Sequence, residues 1–315
     1  MNQNTNQNTS LGTGSMFPLL IKMAVPPMIS MLIQSLYNIV DSIFVARLSS
    51  DALSAVSIIF PIQNLSLALA VGTGVGLNSY IARNMGAGNQ QAADDTPAIG
   101  MILTGIHYVI LAILTSLLIP AFVSMYTEDS QIRSMCYQYG YIVMLFSFGQ
   151  LFHITAEKIL QATGHMTAPL ILVGIGCAIN VVLDPIMIFG LLGCPEMGIA
   201  GAALATVIGQ IVACVTGLLL NIFHNKALTI SPRYRPNGRI IGEIYRVGIP
   251  SIAMQSIGSI MNMAMNMILM GFTSTATAVF GVYYKLQSFA IMPVIGLSNA
   301  MIPIVAFNYG ARKKK

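Results

Sequence analysis

The sequence predicts an all-α polytopic membrane protein, and three observations carry that reading. Of 315 residues, 55% are hydrophobic and 8% charged, with a mean hydropathy of +0.75 and no tryptophan, a balance foreign to ordinary soluble domains. The apolar residues gather into eight stretches, each able to cross a hydrocarbon core of roughly 30 Å, which takes about 20 apolar residues in a helix. The basic residues, finally, sort to one side of those stretches.

The expected spans are 17–46, 52–82, 97–122, 133–161, 166–192, 197–223, 243–270 and 275–307. Residues 1–15, rich in Asn, Gln, Thr and Ser and lacking the basic start of a secretory signal, are expected to form a disordered cytoplasmic tail. Short polar connections join the spans and leave no room for a soluble domain. The longest, 224–242, reads as a cytoplasmic linker between a first group of six spans in 16–223 and a second group in 243–315. With the N-terminus inside, twelve Lys and Arg fall at inner ends and loops, from Lys22 and Arg83 through Lys158 to Lys315. Only Arg47 and Arg133 fall outside, and Lys285 lies within a span. The net charge of +5 therefore tracks the membrane face and argues against a nucleic-acid partner. The four cysteines, Cys136, Cys177, Cys194 and Cys214, have neither metal-ligand spacing nor the look of a disulfide framework.

Sliding the chain by 224 residues exposes an internal repeat. Pro26 meets Pro250, Asn38 meets Asn262, Gln63 meets Gln287 and Gly72 meets Gly296. The run Ala82-Arg83-Asn84-Met85-Gly86-Ala87 meets Ala306-Phe307-Asn308-Tyr309-Gly310-Ala311. Six spans separate the copies, an even number, so both copies run the same way and the repeat axis is expected along the membrane normal.

Chemistry is expected where charge enters the apolar segments. Asn180 and Asp184, four residues apart, share one helix face, and Pro185 behind them frees a backbone carbonyl one turn back. A carboxylate at that depth costs several kcal/mol unless it has a partner or water, so it marks a functional site or a packing contact. The first span offers the partner: Gln34, Asn38 and Asp41 form a polar stripe with Tyr37 beside it, four candidates for lining a substrate cavity or an ion site, and Pro26 and Pro27 can bend the same helix. Two carboxylates brought together can share a proton, or can hold a monovalent cation such as sodium with the Asn180 oxygen, the Thr206 hydroxyl and a carbonyl near Ala202. Asp41 corresponds to Met265 in the second copy, so the shared fold does not demand it. The small-residue run Gly198-Ile199-Ala200-Gly201-Ala202-Ala203 lets another helix approach closely. Lys285 either faces a central cavity or snorkels to an interface. Glu157 and Lys158 read as a solvated pair at the inner end of the fourth span, with Gln150 and His153 as helix contacts. The spans hold no paired His and Glu metal motif and no Ser with a His base in register, so an intramembrane enzyme is not expected.

The first span from Pro26 to Asp41, the Ala82 to Ala87 ending, and Asn180-x-x-x-Asp184-Pro185 followed by Gly198 to Ala203 resemble the multidrug and toxic compound extrusion (MATE) family, in its DinF-like branch. The resemblance runs from about residue 16 to the end. It implies a monomeric antiporter of two six-helix lobes in the plasma (inner) membrane, exporting organic cations and amphipathic compounds against protons or sodium, with no other cofactor. It places Asp41, Asn180 and Asp184 at the cation site of the first lobe, Thr206 as its hydroxyl ligand, and Pro26 as the bending proline. The sequence ends with two spans of the second lobe, four short of the family's six, which reads as a fragment or a truncated product. Two further readings stay open: an inactive remnant, and a lipid-linked oligosaccharide flippase of the same superfamily, which would want several cations in its cavity where Lys285 alone is available.

Overall fold

The computed structural model describes residues 16–229, 237–270 and 274–312, with part of the side chains between 262 and 288 left aside. The expected 1–15 tail and the middle of the 224–242 linker lie outside the described residues. The described residues form nine α-helices: α1 (Met16–Leu48), α2 (Ser50–Gly86), α3 (Gln90–Tyr126), α4 (Ser130–Leu145), α5 (Phe148–Ala162), α6 (Ala168–Phe189), α7 (Ile199–Phe223), α8 (Gly238–Met270) and α9 (Ser274–Gly310). Six segments, Phe17–Leu48, Ser50–Gly86, Gln90–Tyr126, Ala168–Phe189, Ile199–Phe223 and Phe289–Gly310, are long and apolar enough to cross a membrane.

Local chemistry sets the ends. Ser49 accepts the Ala52 N–H at 3.0 Å to start α2, Asp129 accepts those of Gln131 and Ile132 to start α4, and Gly190, at φ +70, stops α6. The fourth span, expected as one helix over 133–161, is instead broken at Phe146 and Ser147 into α4 and α5. No proline marks the break. Ser147 and Gly149 are poor helix formers, and the interruption seats Gly149 on α7, where a Cβ would lie 3.1 Å from the backbone nitrogen of Ile211.

The repeat appears as a pseudo-twofold between α1–α2 and α8–α9. Gly86 abuts the Phe307 carbonyl of α9, and its counterpart Gly310 abuts the Arg83 carbonyl of α2. Asn84 and Asn308 each donate to the carbonyl four residues back, Tyr80 and Ile304, both at 2.9 Å. The C-terminal ends of α2 and α9 thus lie side by side, so the copies run the same way and the axis follows the bundle. Symmetry relaxes where chemistry allows. Arg83 donates to Glu243 at 2.8 Å, whereas the equivalent positions, Phe307 and Leu19, pack in an apolar cluster with Met23, Ala24, Ala300 and Ile304. The glycine contacts between these pairs all fall toward this end. Farther along α8, Met254, Ile257, Ile260, Met261 and Ile268 are exposed.

Candidate functional site: a buried carboxyl pair

Two helix contacts set the site. Along α7, Gly201 lies on the backbone of Met187 and Gly209 on that of Gly176, where a Cβ would sit 2.7 Å from the carbonyl oxygen. That approach brings Asn180 and Asp184 of α6 against Thr206 of α7. The Ser30 hydroxyl of α1 donates to the Pro169 carbonyl of α6 at 3.2 Å and holds α1 on the same side.

The result is a cluster in an apolar frame. Asp184 is fully buried, Asn180 is 2% exposed and Thr206 8%. The Asp41 carboxyl of α1 lies beside that of Asp184. The amide orientation that satisfies every neighbour has the Asn180 nitrogen donating to Asp184 Oδ2 at 2.7 Å. Its oxygen then accepts the Thr206 N–H at 2.9 Å and faces the Thr206 hydroxyl at 3.3 Å. Tyr37 of α1, half-buried, lies on the same side of the bundle. The Asn180 amide thus fixes Asp184 in place, and Thr206 fixes the amide.

Asn180, Asp184 and Thr206 thus lie in one group, with Asp41 and Tyr37 of α1 near it. Pro26 and Gln34 are half-buried along α1, and Asn38 is exposed. The Lys285 side chain lies outside the described residues. Tyr139 of α4 was missed. It is 4% exposed and lies near the two carboxyls, in the cluster that holds Val45 and Ile188, yet it sits among Tyr137, Gln138 and Tyr141 with nothing in the sequence to single it out.

The reading of Glu157 and Lys158 as a solvated pair is corrected. They are 5% and 3% exposed, because α2 and α7 pack along α5 and the Lys158 stem lies over Gly74 of α2. Lys158 donates to Gln161 Oε1 at 3.0 Å and to Asn299 Oδ1 of α9 at 3.2 Å, and Gln161 donates to Glu157 Oε1 at 2.7 Å. A separate cavity of about 580 Å³, lined by Arg83, Asp95, Arg239, Glu243 and Arg246 among others, lies at the end of the bundle where α2 and α9 stop, away from the carboxyl pair.

The MatE family model matches residues 26–186 and 250–315. A FAD transporter of Shewanella oneidensis is 28% identical over 93% of this chain and 65% of its own length. The multidrug export protein MepA of Staphylococcus haemolyticus is 25% identical over 96% of this chain and 66% of its own. The chain thus spans about two thirds of the length of these curated relatives. Among solved structures, a MATE crystal structure in complex with MaL6 superposes with a TM-score of 0.90 at 28% identity, covering 97% of this chain and 68% of that one. An outward-facing MATE multidrug resistance transporter of the MOP superfamily gives 0.84 at 28% identity, covering 93% and 65%.

Proposed function

The chain belongs to the MatE family, and on that premise we propose that it acts as, or within, a secondary active multidrug efflux antiporter in the plasma membrane, with its N-terminus cytoplasmic. Residues 16–223 are its first lobe, 224–242 the linker and 243–315 the first two helices of a second lobe. The placement of Asp41 beside the fully buried Asp184, on two helices packed together, carries the reading. Two acids brought near each other in an apolar bundle are costly unless the site exists to gain and lose an ion.

The ion acts through α1. Asp41 is held to α6 while the pair shares a proton and is repelled when both acids ionise, and Pro26 and Pro27 upstream interrupt the helix ladder so that α1 can bend in response. Ion occupancy thereby selects between two shapes of α1, the differential interaction that alternating access needs. The coupling ion is a proton or sodium: the two acids can share the first, and with the Asn180 oxygen and the Thr206 hydroxyl they can hold the second. Substrates are organic cations and amphipathic compounds, and the relative named a FAD transporter adds an anionic dinucleotide to the panel.

The test is dye and FAD efflux from vesicles under imposed proton or sodium gradients. Asp41→Asn and Asp184→Asn should each abolish coupled efflux, while Glu128→Gln, in an exposed loop, should leave it intact. Undiminished efflux in both intramembrane variants would overturn the mechanism.

A further inference from the structure

Lys158 is 3% exposed and sits away from the Asp41–Asp184 pair. Its stem lies over Gly74 of α2, where a Cβ would come within 2.6 Å of Lys158 Cγ. The sequence leaves that space empty for a lysine. Two neutral amide oxygens take its ammonium, those of Gln161 and Asn299, while the Glu157 carboxylate stays at 3.8 Å and is itself bonded by Gln161. His153 Nε2 closes the group, 3.9 Å from Glu157.

Asn299 is the member that comes from the other half of the repeat. Its counterpart in the first copy is Val75, so the shared fold does not call for an amide there. Parting α9 from α5 would leave a buried ammonium one acceptor short, a state that costs more than the bond itself contributes.

We propose that Lys158, Gln161 and Asn299 form a latch that holds α9 against α5. It keeps the bundle closed at the end carrying Arg83 and Arg312 for as long as this conformation lasts. The latch deepens the alternating-access reading and rests on it. In each cycle the Lys158–Asn299 bond breaks as that end opens.

Ala300, fully buried beside Asn299 and packed with Met23 and Ala24 of α1, reports opening when replaced by cysteine. The native Cys136, fully buried in a separate cluster, reports unfolding in the same molecule. With Cys177, Cys194 and Cys214 replaced by alanine, so that only Cys136 and the new thiol remain, alkylation of the Ala300→Cys protein by N-ethylmaleimide in proteoliposomes should be slow. It should be about tenfold faster with Lys158→Met or Asn299→Ala added, with Cys136 unlabelled throughout. Asn299→Asp gives the ammonium a carboxylate and should slow it below the parent rate. Parent rates in both Lys158→Met and Asn299→Ala overturn the latch. Should Lys158→Met also expose Cys136, the Asn299 variants decide, and Asn299→Asp alkylating as fast as Asn299→Ala overturns it. Because no transport is measured, the latch and the efflux reading fail separately.

Discussion

Gly72 and Gly296 make one contact twice: a Cβ on Gly72 would lie 2.7 Å from the backbone nitrogen of Ile252, and a Cβ on Gly296 2.7 Å from that of Met28. Met28 and Ile252 are themselves equivalent across the 224-residue repeat, so the packing of α2 on α8 is reproduced by α9 on α1. Alanine at either glycine must push two backbones apart, and each substitution should cost about 1–3 kcal/mol, the usual range for overpacking. The control is Gly258→Ala in α8, where a Cβ meets nothing within 4 Å and better helix propensity gives a gain of up to about 1 kcal/mol. Thermal unfolding in detergent checks this, and Gly72→Ala and Gly296→Ala should shift the midpoint by similar amounts. A large loss at one and none at the other would break the symmetry argument.

The contact at Gly72 and Gly296 was legible in the sequence because glycine spacing survives divergence where the packed side chains, Met28 and Ile252, do not. Asp41 and Asp184 were legible for a different reason: charge is so rare at that depth that two carboxylates in one apolar group of helices have few places to go but together. Lys158 misled because Glu-Lys beside a span end looks like every interface pair. What buries it is the packing of α2 and α7 along α5, and the missing side chain at Gly74. The break at Phe146 and Ser147 left no signal either, since it answers to a neighbour, Ile211 on α7, rather than to a proline.

Asn180 is predicted to organise the carboxyl cluster more than Thr206 does. Asn180→Leu removes the N–H held by Asp184 and the acceptor of the Thr206 N–H, leaving a fully buried carboxyl short of a donor, at a cost of about 1–3 kcal/mol. Thr206→Val loses its hydroxyl contact to Asn180 but keeps the backbone N–H, and should cost less than about 1 kcal/mol. Unfolding midpoints of the two variants decide the order. Thr206→Val proving the more damaging would mean that the hydroxyl, not the amide, fixes Asp184.

Outside the spans, His165 should make stability depend on pH. It follows α5, with Nδ1 3.0 Å from the Thr163 hydroxyl and its ring edge-on to His224, 6.2 Å between centroids. Burial first, and then the charge of His224, hold its pKa below the usual 6.5. The folded protein therefore binds fewer protons at this site than the unfolded chain. Stability is full above about 6.5, falls as pH drops through that value, and stops falling below the folded pKa. His165→Gln keeps a polar group beside Thr163 but cannot titrate. The wild-type melting temperature should drop more steeply between about pH 7.5 and 5.5 than that of His165→Gln. Parallel curves would show that His165 takes up its proton as easily in the fold as out of it.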